Sequence, residues 1–250
     1  FVTAPTKIGF IHNDYTQLGL DAAFDLPYFE QLTSVATVSS GCVASLAAVF
    51  PSLKAQFKLV PNIVSAPLIN QMAAAETIAS PVPILLSIGR LHEQKGFDLA
   101  IAAASLLVDQ GISFVWYVLG EGGARAALEQ QIATAGLASH FILLGVKENP
   151  YPYLKAAAVY VQPSRYEGKS IALDEAKLLK KPIVVTNFST VQDQITDGVT
   201  GVVVDFDAAS LAAGLVRVLT DSALRTSLVR HLEHEPEAPV SALASFYELL

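Results

Sequence analysis

The chain has 250 residues, 52% of them hydrophobic, with a mean hydropathy of +0.45 and a formal net charge of −7. That length gives one large or two modest domains, and the acidic balance excludes nucleic acid as the main partner. No apolar run reaches the ~18 residues that span a bilayer, and the single cysteine, Cys42, excludes an intrachain disulfide and fits a reducing compartment.

The chain begins FVTAPT, shows no secretory signal there, and has Met72 as its only methionine, which predicts a fragment or a processed form. Strand-like and helix-like runs then alternate. In residues 1–64, KIGFIH (7–12), SVATVSS (34–40) and FKLVPNIV (57–64) predict strands, and 24–32 and 42–50 predict helices. Residues 65–83 carry Pro67, Pro81 and Pro83 with little strand pattern, so the domain boundary is expected there. From Ile84 the pattern is regular. Strands are predicted at 84–89, 114–120, 141–145, 159–164, 182–187 and 201–205, with helices at 97–110, 125–135, 152–157, 171–180, 191–196 and 208–220. The strands are almost continuously apolar, as in a parallel sheet buried on both faces. This alternation predicts an α/β doubly wound domain over 84–235. The tail predicts helices near 223–234 and 239–250, split by Pro236 and Pro239.

In such a sheet, ligands bind outside the carboxyl ends of the strands, and the unusual residues of this chain cluster there. Gly89 and Arg90 follow the first strand of the second domain, with Lys95 and Gly96 just beyond. Gly120, Glu121, Gly122 and Gly123 follow the next strand, Gly145 the third, Ser164 to Glu167 the fourth, and Asn187 to Thr190 the fifth. Two motifs are discounted. LGEGGAR resembles a dinucleotide fingerprint, but Arg125 stands where the third Gly is needed, so it is taken as a tight turn lining the cleft. Asp205 and Asp207 resemble a metal-binding pair, yet Asp207 precedes a helical run and is better taken as its N-cap; no metal site is expected.

Glu167 and Glu175 stand eight positions apart in SRYEGKSIALDEAKLLKKPIVVTN, the first in a turn after a strand and the second within a helix. A helix starting near Ser170 or Ile171 presents free N–H groups that attract phosphate. Two carboxylates beside an anion would repel it unless they face something neutral, such as sugar hydroxyls. Alternatively, both are ordinary loop and helix residues. A P-loop ending in Gly168-Lys169-Ser170 is excluded, because Pro163 stands where that motif needs Gly.

With its Glu, seven residues and a second Glu, this stretch resembles the signature of retaining GT-B glycosyltransferases of family four (glycosyl transferases group 1). SIGRLHEQKGFD resembles the Gly-Arg and Lys-Gly segment of the same family, and FIHNDY (10–15) its acceptor-side strand. The resemblance implies a GT-B-like fold and a hexosyltransferase. Arg90 and Lys95, with the backbone of Lys169, Ser170 and Ile171, would hold the donor diphosphate. Glu167 would meet the sugar, and Gly145, Val146 and Glu175 the nucleoside. His12 would lie beside the reacting centre, Gly89, Gly120, Glu121 and Gly122 would line the cleft, and Asn13 and Asp14 are weaker candidates for acceptor contacts. Members have a bulky apolar residue and Gly after the first Glu-Gly, where this chain has Lys169 and Ser170.

Nothing matches the family's Gly-rich loop after its first strand, so roughly the first half of the amino-terminal domain is expected to be absent, judged against domains of ~100–200 residues. Residues 1–64 would then be a partial acceptor-side domain, 65–83 a linker, 84–235 the nucleotide-sugar domain, and 236–250 a helix returning to the first domain. The partners implied are a nucleotide sugar donor, needing no cofactor, and a glycan or lipid-linked acceptor in surface polysaccharide synthesis. The location implied is cytoplasmic, at the inner face of the membrane if the acceptor is lipid-linked. Self-association through the partial domain is also expected. A nucleotide-sugar binding module without turnover and a GT-B epimerase or phosphorylase remain the alternatives.

Overall fold

The structure, a computed structural model, describes residues 3–235 and 241–249. The chain forms β1 (Ile8–Ile11), α1 (Ala22–Phe29), β2 (Ser34–Thr37), α2 (Ser40–Val49), β3 (Phe57–Leu59) and α3 (Ala66–Ala73). It continues through β4 (Ile84–Ile88), α4 (Phe97–Asp109), β5 (Val115–Leu119), α5 (Arg125–Thr134), β6 (Phe141–Gly145), α6 (Tyr151–Ala156) and β7 (Val159–Gln162). Then follow α7 (Ile171–Leu178), β8 (Ile183–Thr186), β9 (Val202–Val204), α8 (Ala208–Thr220), α9 (Ser222–His234) and α10 (Ser241–Tyr247).

The strands form two parallel sheets, in the orders β1-β2-β3 and β6-β5-β4-β7-β8-β9. The second is the doubly wound sheet that the sequence predicts. Its continuous apolar strands are explained by alternation between two cores. Leu85, Trp116, Val118, Val159 and Val161 pack with α4 and α8 on one face. Ile84, Leu86, Val115 and Tyr160 pack with α6 and α7 on the other. Each fully buried leucine here stabilises the sheet by roughly 1.5–3 kcal/mol. A polar rivet crosses the centre. Trp116 Nε1 donates to Ser87 Oγ (3.0 Å), and Ser87 Oγ donates to the Val161 carbonyl (2.7 Å), tying β5, β4 and β7 together.

In the first sheet, Val35 packs with Tyr15, Leu46, Phe50 and Phe57. On its other side Leu249, just past α10, packs with Ala36 and Val60, and Phe246 stacks on Phe10. The expected break at Pro236 and Pro239 lies outside the described residues.

Three segments differ from the sequence expectation. The strand expected over 57–64 is confined to Phe57–Leu59. The stretch 65–83 contains α3, which packs against α6 and α7, and Asn149 Nδ2 donates to the Met72 carbonyl (2.9 Å). Pro67 sits in the first turn of α3, where its missing N–H costs nothing. The predicted helix 191–196 is only a 3₁₀ turn, Val191–Asp193, and the side chains of Asp193 and Gln194 bond to Gly41 and Ser170.

Candidate active site at the switch point

In the six-stranded sheet the chain runs outward from β4 through β5 and β6, then returns to the other side of β4 as β7. The crevice outside the carboxyl ends of β4 and β7 is therefore the topological switch point, where ligands of such sheets bind. The segment after β4 and the segment after β7 are locked together there. Gln94 Nε2 donates to the Tyr166 carbonyl (2.9 Å) and Arg165 N to the Gln94 carbonyl (2.8 Å). Arg165 also forms a bidentate pair with Asp98 (2.8 and 2.7 Å). Gly96 has φ +64°, and a Cβ there would stand 1.9 Å from the Pro163 carbonyl oxygen, so only glycine lets the two segments meet.

Glu167 is the centre of this site. Its side chain is buried, and Oε1 accepts from Ser164 Oγ (2.6 Å), Lys95 Nζ (2.7 Å) and Gln162 Nε2 (3.1 Å). Burying a carboxylate is costly unless it is paired and hydrogen-bonded, and here three donors converge on one oxygen. Oε2 has only a 3.5 Å contact from Gln94 Nε2. Lys95, expected beside Arg90 on a diphosphate, is thus an ion-pair partner of Glu167. Arg90 is exposed, and among the described residues its guanidinium has no hydrogen bond or ion pair.

The turn after Glu167 leads into α7. Ser170 caps the helix, its Oγ accepting from Leu173 N (3.3 Å) and donating to Gln162 Oε1 (2.7 Å). Its own N–H donates to Gln194 Oε1 (2.8 Å), while Gln194 Nε2 donates to the Ser170 carbonyl (2.7 Å). This corrects the expectation for Ser170: its amide is already paired, so it holds the turn instead of presenting a donor to a ligand. Lys169 lies 3.7 Å from Asp174 Oδ2, and Ile171, the first helical residue, is exposed. As in any helix, the first amides have no intrahelical acceptor.

Around the crevice, Tyr151 OH donates to Glu175 Oε1 (2.8 Å). Burial pushes the Glu175 carboxyl above its usual value, partly offset by that hydrogen bond, and neighbouring Asp174 adds to the rise. Gly145 has φ +74° and ends β6, and Val146 beyond it is exposed. A Cβ on Gly145 would stand 3.2 Å from Glu121 Oε1. Glu121 itself is held by Arg125 through two hydrogen bonds (2.8 and 2.6 Å). Gly120 and Gly122 pass so close to the Gly89 and Leu91 carbonyls that a Cβ would stand 1.9 and 2.3 Å away. Gly89 abuts the Lys95 side chain, and a Cβ there would lie 3.2 Å from Lys95 Cε. The glycines thus pack the turns that line the site.

The first domain closes against the same turn. His12 follows β1, and its exposed ring stacks on Phe10. A Cβ on Gly168 would lie 2.0 Å from the His12 carbonyl oxygen and 2.7 Å from Asn13 Cα, so the backbones touch. Asn13 Oδ1 is 3.5 Å from Gln94 Nε2. Asp14 is buried, accepting from Ser45 Oγ (2.6 Å), Thr16 Oγ1 (2.7 Å) and Ser189 Oγ (2.8 Å). It is therefore a bridge between domains, a correction to its reading as an acceptor contact. Burial pushes its carboxyl up, and the three hydroxyls outweigh that, holding it below 3.8.

Asp207 caps α8 through Ser210 N (2.7 Å) and Oγ (2.6 Å), as the sequence predicts. Among the described residues, no three His, Cys, Asp or Glu side chains are grouped to hold a metal ion, and no helix is long and apolar enough to cross a membrane. Sequence reasoning missed Gln162, Tyr151, Asp193 and Gln194. The first is hidden in an apolar strand, and the last two in a run that looks helical.

A family model described as glycosyl transferases group 1 matches residues 69–233, well over half of the chain. The chain belongs to this family. Among curated relatives, the alpha-D-kanosaminyltransferase of Streptomyces kanamyceticus is 31% identical over 166 residues, 65% of this chain and 43% of the relative. The lipopolysaccharide core biosynthesis glycosyltransferase LpsE of Rhizobium meliloti is 31% identical over 147 residues, 58% of this chain and 42% of the relative. The matched region is thus less than half the length of these relatives. Among solved structures, a TarM mutant of S. aureus in complex with fondaparinux, alpha-GlcNAc-glycerol and UDP is similar over 98% of this chain and 50% of its own, with TM-score 0.81 and 19% identity. Anabaena HepE in complex with UDP is similar over 97% and 71%, with TM-score 0.80 and 16% identity. The fold of this group 1 chain is GT-B-like.

Proposed function

We propose that this chain binds the donor of a retaining glycosyltransferase, which moves a sugar from a nucleotide diphosphate sugar to a hydroxyl acceptor in polysaccharide or glycoconjugate synthesis. One observation carries this most: buried Glu167 stands at the β4–β7 switch point with three donors on Oε1 and only a 3.5 Å contact from Gln94 Nε2 on Oε2. A carboxylate held this firmly accepts hydrogen bonds from neutral sugar hydroxyls in a fixed geometry. Lys95 and Ser164 hold it in place.

In the transfer, the bond from the anomeric carbon to the diphosphate oxygen breaks with its electron pair left on the diphosphate, the acceptor oxygen bonds to that carbon on the same face, and the acceptor proton passes to the departing diphosphate oxygen. The charge growing there is stabilised by Arg90, the exposed cation at the end of β4, and by the amides of Lys169 and Ile171 with the α7 dipole. Glu175, with Tyr151 fixing its carboxylate, takes the ribose hydroxyls beside Gly145 and Val146. His12, at the first domain's edge of the crevice, faces the reacting centre. The site needs neither metal nor cofactor in this account, so a chelator leaves nucleotide affinity unchanged. The relatives that build lipopolysaccharide core and amylovoran support a glycan or lipid-linked acceptor. A cytoplasmic site, peripheral to the membrane when the acceptor is lipid-linked, goes with it.

A nucleotide-sugar binding module without turnover is the second reading, favoured by a first sheet that has three strands among the described residues, against six in the second. Product analysis after incubation with a panel of labelled nucleotide sugars and glycan acceptors separates them. A glycoside with retained configuration supports transfer, unchanged donor with saturable binding supports the module, and a new sugar nucleotide supports neither.

A further inference from the structure

The segment Thr190–Gln194 touches three things at once. Thr190 Oγ1 donates to the Glu167 carbonyl (2.8 Å), and Gln194 clamps the Ser170 peptide through both its N–H and its carbonyl. Between them, Asp193 reaches into the first domain, where Oδ1 accepts from Ser40 Oγ (2.7 Å) and Oδ2 from Gly41 N (2.8 Å). Asp193 thereby caps the start of α2 from the other domain, placing a carboxylate at the positive end of a ten-residue helix. The fit is close, since a Cβ on Gly41 would lie 3.0 Å from Asp193 Oδ2 and 3.1 Å from Thr190 Cγ2. Cys42 Sγ, one residue on, is 3.6 Å from the Gly168 carbonyl. Thr190 and Gln194 are buried, so their bonds to the turn are shielded from water.

We infer that Thr190–Gln194 is a strap coupling the docking of the first domain to the shape of the Glu167–Ile171 turn, with Asp193 as its positioning residue. Asp193 touches no part of the proposed ligand. It acts by anchoring α2, and through Thr190 and Gln194 that anchorage fixes the carbonyl of Glu167 and the peptide of Ser170. Coupling between two such contacts is reciprocal. Domain docking therefore stiffens the turn, and a ligand that orders the turn tightens the docking. That second half rests on the nucleotide reading above, while the first does not.

Amide hydrogen exchange on the full chain, followed by mass spectrometry, tests this with Asp193→Asn, which keeps the side chain's shape and removes its charge, and with Ser40→Ala, which removes a contact from the opposite domain. Without any ligand, both variants should exchange roughly tenfold faster at the start of α2 and also across residues 167–172, to which neither altered side chain is hydrogen-bonded. The centre of the second domain, β4 and β5, should exchange at the wild-type rate, which separates uncoupling from general unfolding. Adding UDP to the wild type should slow exchange at the α2 start as well as in the turn, and in Asp193→Asn only in the turn. Faster exchange at α2 with an unchanged turn in both variants would overturn the strap. Failure of UDP to bind the wild type would overturn the nucleotide reading and leave the ligand-free comparison to decide the strap.

Discussion

Gly168→Ala is the sharpest perturbation of the domain seam. The added methyl would lie 2.0 Å from the His12 carbonyl oxygen, and a carbon–oxygen contact relaxes only near about 3.3 Å, so the two backbones must part by about 1.3 Å. Neither neighbour is a side chain that can rotate away. The same displacement stretches the Asp193 contacts to Ser40 and Gly41 (2.7 and 2.8 Å) and the Ser189 bond to Asp14 (2.8 Å) to about 4 Å, past hydrogen-bonding range. Overpacking costs about 1–3 kcal/mol, and the loss of bonds to charged acceptors adds to it where they are buried, as at Asp14. A total of ~2–4 kcal/mol in a chain of this size lowers the melting temperature by roughly 4–16 °C. Scanning calorimetry reads it directly, with Gly123→Ala as the control, because a Cβ at Gly123 meets nothing within 4 Å. Gly168→Ala melting with Gly123→Ala and the wild type would refute the docked seam.

Arg90→Ala should weaken UDP binding by roughly 1–3 kcal/mol in calorimetry, the usual cost of losing a charge-assisted contact; equal affinities would remove Arg90 from the site. Glu175→Ala should reduce affinity for UDP or GDP more than for pyrophosphate, and an equal loss for all three would contradict its ribose role. Asp14 makes stability depend on acidity. Its folded carboxyl titrates below its unfolded value of 3.8, so its contribution is complete above that pH and is lost as pH falls through the lower folded value. Urea midpoints measured from pH 6 down to pH 2 should fall less steeply in Asp14→Asn, and parallel acid limbs would show that the Asp14 network carries no such linkage.

The second domain was legible because both faces of its sheet are buried. That makes six short runs continuously apolar, and between them the helices fall into place. The crevice was legible for the same reason, since Arg90, Lys95 and Glu167 each follow an apolar run and so stand at a strand end. What sequence could not separate was a group that meets a ligand from one that holds such a group. Lys95 and Ser170 belong to the second kind, and a cation or a capped helix start looks the same in either role. Asp193 escaped notice because its partners, Ser40 and Gly41, lie more than 150 positions away and belong to the other domain. The helix α3 escaped because Pro67 was weighed as a breaker, although proline in a first turn marks a start.

The most direct test of the central claim is a crystal structure of the chain with UDP or GDP bound. The account predicts the nucleotide in the crevice between the ends of β4 and β7. Its diphosphate should contact the Arg90 guanidinium and the first amides of α7, its ribose should lie on Glu175, and the Glu167 carboxylate should stay paired with Lys95. A nucleotide bound elsewhere, or one whose diphosphate lies away from both Arg90 and the start of α7, would contradict it.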